Sequence, residues 1–314
     1  MMRYLVLRVL ATIPVMAVVA AFVFLMLRLS PGDPAAVIAG DYATAEDVAR
    51  IREQLGLNDP ILVQFGNWVW RLLQGDLGTS IFTNLPVTTL IGQRLEPTLL
   101  LTLTTITFAV LVAVPLGTLA AWKAGSLIDR AVMLFSVAGF SVPVFVLGYI
   151  LIYSLAMTLQ IVPVQGYRSP FEYGIGPFAL HMILPTLTLS VIFIALIARM
   201  TRASVMEVLQ EDYIRTARAK GQSEWRILVR HGLRNAAVPI VTVIGIGIAL
   251  LIGGVVVTES VYNIPGLGRL VLDAVLARDY PIIQGLILFF SFIYIVINLL
   301  IDLSYPLFDP RIRY

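Results

Sequence analysis

Six long apolar runs, none with a charged residue near its centre, alternate with polar stretches along the chain. The runs cover residues 9–27, 98–122, 131–159, 179–198, 238–258 and 282–301. A helix rises about 1.5 Å per residue, so about 20 residues cross the hydrocarbon of a bilayer. Runs this long without polar alternation are typical of helices and not of barrel strands. The pattern therefore predicts an all-α membrane protein with six transmembrane helices.

Composition supports this prediction and excludes several other classes. Of the 314 residues 59% are hydrophobic and only 13% are charged, and the mean hydropathy is +0.90. The chain has no cysteine and only His181 and His231 as histidines, too few nitrogen and sulfur ligands for a usual zinc site. It also lacks the G-x-x-x-x-G-K-[ST] loop of ATP-hydrolysing proteins. We therefore expect no catalytic residue and no metal site in this chain.

The polar stretches predict three regions. Residues 1–28 form the N-terminal tail and first span, which we expect to stay as an anchor because no clear signal-cleavage pattern follows it. Residues 29–97 form a folded periplasmic region with helices over 44–55 and 61–73. In the second of these helices, Phe65, Trp68 and Trp70 face either lipid headgroups or the core of the region. Residues 98–314 hold the other five spans.

Lysine and arginine indicate the orientation. With both termini in the cytoplasm, the cytoplasmic segments contain 14 of the 22 basic residues, and eight of these lie between Arg199 and Arg234. Basic residues concentrate in short cytoplasmic loops of membrane proteins. This topology explains the net charge of +3, so nucleic acid is not an expected partner.

The loop over residues 199–237, between spans four and five, carries the strongest functional signal. Its first half predicts a helix that ends at Gly221, with one stripe of Tyr213, Ile214, Ala217 and Gly221 and another of Arg215 and Arg218. In its second half Trp225, Leu228, Val229 and Leu233 share a predicted apolar face, while Arg226, Arg230 and Arg234 follow at i+4 steps. Two short helices hinged at a glycine suit docking of another protein. Fixing the topology or lying on anionic lipid explains the same pattern about equally well.

Small and polar residues near the spans are candidates for a solute pathway. These are Ser141, Pro143, Gly247, Glu259, Ser291 and Asn298. Close helix packing or bending is the commoner reason for small residues in spans. Residues 265–268, Pro-Gly-Leu-Gly, predict a sharp turn near the outer mouth because glycine adopts backbone angles closed to other residues.

Several motifs in order resemble one known family. They are Arg-Leu-Ser-Pro-Gly-Asp-Pro at 28–34, Leu-Gly-Leu at 55–57, Gly-Asp-Leu-Gly-Thr-Ser at 75–80, the turn at 265–268, Arg-Asp-Tyr-Pro at 278–281 and Asp-Pro-Arg-Ile-Arg-Tyr at 309–314. With the loop at 199–237, they resemble permease subunits of ABC importers, in the branch for dipeptides, oligopeptides, nickel and glutathione. The loop is similar to that branch's EAA loop, although Arg215-Thr-Ala217 stands where the general pattern has Glu-Ala-Ala and Arg234 where it has proline.

The resemblance implies a type I ABC importer permease architecture and a non-catalytic role in the bacterial inner membrane. It places ATPase coupling on Tyr213, Arg215, Thr216, Ala217, Arg218, Ala219, Gly221, Trp225 and Arg226. It implies a second homologous permease as heterodimer partner, two ATPase subunits that bind ATP and Mg, and a periplasmic or lipid-anchored solute-binding protein. This chain itself would bind lipid and no cofactor.

The resemblance does not determine which class of solute is transported. Di- and oligopeptides are expected first, with nickel, glutathione or an oligosaccharide as alternatives. An ion-coupled secondary transporter is disfavoured because the spans show neither internal repeats nor ionisable pairs near the bilayer midplane. An intramembrane hydrolase is disfavoured because no nucleophile has a positioned base.

Overall fold

The computed structural model describes residues 2–29, 35–36, 44–54 and 57–308, and these residues are mostly helical. The helices used below begin with α1 (Met2–Leu29), α2 (Ala45–Gln54), α3 (Ile61–Leu73), α4 (Val87–Trp122), α5 (Leu127–Ser141), α6 (Val144–Leu151) and α7 (Pro170–Tyr173). They continue with α8 (Ile175–Leu209), α9 (Asp212–Ala219), α10 (Glu224–Arg226), α11 (Ala237–Gly254), α12 (Val256–Val261), α13 (Leu267–Ala277) and α14 (Tyr280–Phe308). Two π-helical segments, Ile152–Thr158 and Ile227–Leu233, follow α6 and α10. Across the described ranges, β pairing is confined to an isolated bridge between Thr79 and Pro86.

Six apolar helical segments occupy the six predicted positions. By length and composition, α4, α8 and α14 are each able to cross a bilayer, and α1 contains the shorter apolar helix Leu10–Met26. The first bent pair, Leu127–Ser141 with Val144–Thr158, supplies the third segment. In the second bent pair, Glu224–Leu233 with Ala237–Gly253, the second helix supplies the fifth segment, and the first helix lies in the loop before it. The predicted all-α membrane class is therefore confirmed.

The third predicted span is not one continuous helix. Its two halves meet at 101°, where Val142 adopts an extended conformation (φ −88°, ψ 122°) and Pro143 precedes α6. Proline has no N–H for the helical ladder and disfavours helical angles at the residue before it. The continuous helix predicted over 131–159 is therefore wrong, while the bending suggested by Ser141 and Pro143 is present.

Other helix boundaries differ because a hydropathy pattern detects only the apolar part of a helix. The second span was predicted from residue 98, but α4 begins at Val87. The fourth was predicted to end at residue 198, but α8 continues to Leu209 with Thr201, Ser204 and Val205 buried. Polar residues enter the sequence there without ending the helix. The first part of the predicted loop 199–237 is thus a helical extension.

Residues 96–269 and 296–308 form one compact unit, in which α8 packs against α5 and α11 and also contacts α4. Glycines allow these helices to approach closely. A Cβ at Gly117 of α4 would lie 2.7 Å from Cβ of Thr201, and one at Gly139 of α5 would lie 3.2 Å from Cβ of Ala195. Both distances are shorter than normal carbon contacts, so a side chain at either glycine would separate the helices.

Residues 270–295 and the described residues of 2–95 form a second compact unit. Here α2 and α3 confirm the two helices predicted in the periplasmic region. The ring of Phe24 in α1 lies 5.1 Å from that of Phe65 and 5.6 Å from that of Trp68, measured between centroids. Trp70 is 63% exposed. Two of the three aromatic residues thus pack within the protein, and one faces outward.

Two of the sequence motifs meet in the second unit. The Ser80 hydroxyl donates to Oδ2 of Asp279 at 2.5 Å, and both side chains are buried. The motif at 75–80 is therefore joined to the motif at 278–281. The motif segments at 30–34, 55–56 and 309–314 lie outside the described residues, and the three-region division of the chain stays a prediction.

Candidate functional site

The chain between α8 and α11 forms a projection, the elbow (residues 210–236). Its first arm is α9, and its second arm is residues 224–236. The inner side of α9 carries the buried residues Ile214 and Ala217, whereas Tyr213, which was predicted on the same stripe, is 43% exposed. These side chains pack with Ile227 of the second arm and with Leu209 at the end of α8. The elbow therefore has a small apolar core of its own, which is continuous with α8.

The hinge of the elbow is a glycine in the left-handed conformation. Gly221 has φ +74°, its N–H donates to the carbonyl of Arg218 at 2.9 Å, and the N–H of Gln222 donates to the carbonyl of Ala217 at 3.2 Å. These two bonds form a Schellman motif. No atom lies within 4 Å of the place a Cβ would take, so backbone conformation and not space requires glycine. The predicted helix end is confirmed.

An ion pair spans the hinge. Nε of Arg218 donates to Oε1 of Glu224 at 2.8 Å, and Nη2 donates to Oε2 at 3.2 Å. Hydrogen bonding to Arg218 lowers the pKa of Glu224. The side chains are 45% and 47% exposed, so water screens the attraction. The pair therefore joins the two sides of the hinge and contributes little to the stability of the protein.

Two further hydrogen bonds join the arms of the elbow. Nδ2 of Asn235 donates to the Tyr213 hydroxyl at 3.0 Å. The His231 Nε2 and the Gln222 Oε1 are 3.0 Å apart, with the histidine as donor in the tautomer that pairs them. Together with the small core, these contacts make the two arms one folded element.

The second arm presents a different face from the one predicted. Leu228 is only 2% exposed, but Trp225 is 67% and Val229 41% exposed. Residues Ile227–Leu233 form a π-helix, which places more residues in each turn than an α-helix does. The prediction of a shared apolar face for Trp225, Leu228, Val229 and Leu233 assumed α-helical spacing and is wrong for this reason.

The outer surface of the elbow is basic and aromatic. Eight of the nine residues expected to couple to an ATPase are exposed: Tyr213, Arg215, Thr216, Arg218, Ala219, Gly221, Trp225 and Arg226. The ninth, Ala217, is buried in the elbow's core. The side chain of Arg215 is 75% exposed, and Arg230 and Arg234 of the second arm are exposed as well. The arrangement offers positive charge and the rings of Tyr213 and Trp225 to a partner surface.

The elbow is attached to the ends of three long helices. Leu228 of the second arm belongs to a buried cluster with Val205 of α8, Ala121 of α4 and Ile240 of α11. A Cβ at Gly232 would lie 3.4 Å from Cδ2 of Leu209. The elbow is therefore packed directly against these helices, without gaps between the side chains.

A buried carboxylate organises the turn at 265–268. Glu259 of α12 is 0% exposed and accepts hydrogen bonds from the Thr98 hydroxyl at 2.6 Å and from the N–H of Arg269 at 2.9 Å. The Thr98 hydroxyl in turn accepts from the N–H of Leu267 at 2.8 Å. A Cβ at Gly266 would overlap the carboxylate. The turn is thus folded around the side chain of Glu259.

The glycines of this turn are needed for a reason other than the predicted one. Positive φ occurs at Asn263 (φ 52°) and not at Gly266 or Gly268. A Cβ at Gly268 would lie 2.8 Å from Cα of Val256 and 3.0 Å from Oε2 of Glu259. Space around a buried carboxylate, not left-handed backbone angles, therefore requires glycine.

The other predicted pathway residues lie on different elements. Ser141 and Pro143 are exposed at the bend between α5 and α6. Gly247 of α11 is buried, with its Cβ position 3.2 Å from the ring of Phe193. The Ser291 hydroxyl donates to the carbonyl of Ile287 within α14, which also carries the half-buried Asn298. Their part in a solute pathway stays a prediction.

Sequence reasoning missed two polar groups that the structure makes prominent, Thr98 beside Glu259 and the ion pair of Asp129 with Arg202. The partners in both cases are more than 70 residues apart in the chain, so local patterns do not reveal them. Among the described residues, no group of three or more histidine, aspartate or glutamate side chains is arranged to hold a metal ion. The expected absence of a cofactor stays a prediction.

Comparison with known proteins gives consistent results. A family model described as binding-protein-dependent transport system inner membrane component matches residues 113–314, and a model of the N-terminal part of such membrane components matches residues 1–102. A probable peptide ABC transporter permease protein of Sinorhizobium fredii is 57% identical over 311 residues, 99% of each chain. A glutathione transport system permease protein of Salmonella typhimurium is 45% identical over 314 residues, 100% of each.

A solved structure shares the fold. The match is to a chain of the MetNI methionine ABC transporter in inward-facing conformations, with a TM-score of 0.57 and 18% sequence identity. It covers 71% of the present chain and 97% of that chain.

Proposed function

This chain belongs to the family of inner-membrane components of binding-protein-dependent transport systems, and from that premise we propose that it forms part of the pathway for uptake of di- and oligopeptides. It is an integral inner-membrane protein and a permease subunit of an ABC transporter. The peptide assignment is supported by the peptide permease of Sinorhizobium fredii, which is 57% identical over nearly the whole chain.

The elbow is the part that receives the force of ATP hydrolysis. The observation that carries this assignment is its division of faces: the apolar side is packed on α4, α8 and α11, while the basic and aromatic side is exposed. A loop that only fixed the membrane topology of the chain would not need an internal core, a capped hinge, and hydrogen bonds and an ion pair between its two arms. Arg215, Arg218, Trp225 and Arg226 contact the ATPase, with Tyr213, Thr216, Ala219 and the hinge Gly221 alongside.

Orientation follows from the same assignment. The elbow and both termini are cytoplasmic, which agrees with the 14 of 22 basic residues on that side. The turn around Glu259 then lies toward the periplasm, where it shapes the outer mouth of the pathway. Ser141, Pro143, Gly247, Ser291 and Asn298 are the remaining candidates for the wall of the pathway.

The importer needs further chains. An ABC transporter permease works with ATPase subunits and, in this family, with a solute-binding protein. We assign two ATPase subunits, which bind ATP and Mg, a second homologous permease that completes a heterodimer, and a periplasmic or lipid-anchored binding protein. The present chain is non-catalytic and binds no cofactor.

Glutathione is the second candidate solute, because a glutathione permease matches the chain over its full length at 45% identity. Nickel and oligosaccharides are less supported. Glutathione is itself a small peptide, so a pathway that passes short peptides has suitable dimensions and polarity for it.

The test is uptake by the complex that copurifies with this chain, reconstituted in vesicles with its binding protein. Labelled dipeptide, pentapeptide and glutathione are offered separately, with and without ATP, and with ionophores that collapse ion gradients. ATP-dependent peptide uptake that survives the ionophores supports the proposal. Uptake driven by an ion gradient without ATP contradicts it, and uptake of glutathione alone selects the second candidate.

A further inference from the structure

A bidentate ion pair joins α5 to the far end of α8. Nε of Arg202 donates to Oδ1 of Asp129, and Nη2 donates to Oδ2 at 2.8 Å. The Asp129 side chain is 6% exposed and that of Arg202 is 23% exposed. Two parallel hydrogen bonds hold a guanidinium and a carboxylate in a fixed relative orientation, which a single bond does not do.

The same carboxylate fixes the turn that leads into α5. The N–H of Gly125 donates to Oδ2 of Asp129 at 2.8 Å, and Gly125 has φ +80°. Ser126 caps α5, since its side chain accepts from the N–H of Asp129. Asp129 therefore makes simultaneous hydrogen bonds to the turn after α4, to the residue that caps α5 and to α8.

A second contact holds α5 on α8. Gly139, ten residues after Asp129, lies against Ala195 and Val191 of α8, with its Cβ position 3.2 Å from Cβ of Ala195. Ten helical residues span about 15 Å. Because the two contacts are separated by this distance along α5, α5 is unable to tilt independently of α8 while both persist.

The end of α8 that carries Arg202 leads into the elbow. Val205 and Leu209 follow within two turns of the same helix, and they pack on Leu228 and on the elbow's core. One unbroken helix therefore runs from the ion pair to the elbow. Beyond Gly139, α5 ends at the 101° bend that precedes α6.

We propose that Asp129 and Arg202 are positioning residues that make α5, and the bend at its end, move together with the elbow. The proposal rests on the function proposed above, since it assumes that the elbow is driven by an ATPase. In an importer whose permeases rearrange at each cycle, motion of α8 then reaches α5 through the ion pair at one end and through Gly139 at the other. Loss of the pair leaves only the packing of α5 on α8, which lacks the fixed orientation of the two parallel hydrogen bonds, and so weakens the coupling of their motions.

A buried pair is not explained by stability alone. The desolvation of two charges offsets much of their attraction, so apolar residues of similar volume often stabilise such a position as well. An apolar contact lacks the fixed geometry of the two parallel hydrogen bonds between Arg202 and Asp129, which we call the fork. Lysine keeps the charge of Arg202 but not the fork, and this difference separates positioning from simple charge balance.

The experiment compares Asp129→Asn, Arg202→Gln and Arg202→Lys in the reconstituted complex, with Arg130→Gln as control. Arg130 is an exposed neighbour on α5, so its loss changes the local charge and leaves the fork intact. The measurements are the amount of assembled complex, the ATPase rate and the solute transported per ATP hydrolysed.

We expect assembled complex and ATPase activity in all four variants. Transport per ATP falls about twofold to thirtyfold in the three variants that break the fork, the range found for residues that carry coupling between sites. The control stays at the level of the parent. Transport per ATP that is unchanged in Asp129→Asn and Arg202→Gln overturns the proposal, and so does failure of both to assemble, because the pair would then serve folding alone. A parent complex that shows no ATP-dependent transport overturns instead the proposed function.

Discussion

The carboxylate of Glu259 occupies the space in which a side chain at Gly266 would stand. Glu259 is also bonded to the Thr98 hydroxyl and to the backbone N–H of Arg269, so it has no freedom to move aside. The buried, hydrogen-bonded carboxylate of Glu259 therefore keeps its position only if residue 266 has no side chain. This relationship explains why a turn with ordinary backbone angles contains glycine.

Gly266→Ala is therefore expected to destabilise the protein by about 2 kcal/mol, the usual cost of forcing an extra carbon into a packed site. The measurement is thermal unfolding of the purified complex in detergent. Gly253→Ala is the matched control, because a Cβ at Gly253 of α11 meets nothing within 4 Å and alanine favours a helix. Equal unfolding temperatures for the two variants would show that the carboxylate moves aside easily.

The two faces of the elbow predict opposite consequences for two apolar residues. Ile214→Ala leaves a cavity in the elbow's core and should destabilise the elbow by about 2–4 kcal/mol. Trp225 is 67% exposed, so Trp225→Ala should change the stability of the isolated chain by no more than about 0.5 kcal/mol. It should instead weaken retention of the ATPase subunits.

The measurements for this pair are proteolysis of the elbow in the chain alone and the amount of ATPase that copurifies with it. Rapid proteolysis is expected for Ile214→Ala only, and loss of ATPase without rapid proteolysis for Trp225→Ala. Full retention of the ATPase by Trp225→Ala would remove this residue from the docking surface.

The ion pair across the hinge predicts an acid dependence. Because Arg218 lowers the pKa of Glu224 in the folded protein, the pair contributes above the ordinary carboxyl pKa and is lost as the pH falls through the lowered value. The angle between the arms should therefore stay constant through neutral pH and loosen only in acid, below the ordinary pKa of glutamate.

The absence of cysteine from the chain makes this prediction measurable. A spin label at a cysteine replacing Thr216 should become more mobile in acid in the parent. With Glu224→Gln, the same label should show its higher mobility already at neutral pH. Identical titrations in the two proteins would mean that the pair does not hold the arms.

Sequence alone was sufficient for the class of the protein, the positions of its apolar segments and the hinge at Gly221. These features depend on local composition, on proline and on a helix-ending glycine, all of which act within a few residues. The resemblance of ordered motifs was sufficient for the family.

The sequence did not predict the features that depend on the helical geometry adopted or on contacts between residues far apart in the chain. The bend at Pro143 reaches 101°, although the pattern showed only that bending was permitted. The π-helical segment Ile227–Leu233 interrupts the 3.6-residue periodicity on which the predicted apolar face of the second arm rested. The bonds from Thr98 to Glu259 and from Asp129 to Arg202 join residues that only the fold brings together.

The most direct test of the account is to change the hinge of the elbow and measure solute transported per ATP hydrolysed. Gly221→Val forces a β-branched residue into φ +74°, at a cost of about 1–2 kcal/mol, whereas Gly221→Asn is tolerated there. Both side chains have open space around them, so the fold itself should persist. We expect transport per ATP to collapse in the valine variant and to be largely kept in the asparagine variant. Undiminished transport per ATP with valine at the hinge would contradict the claim that the elbow transmits the work of the ATPase.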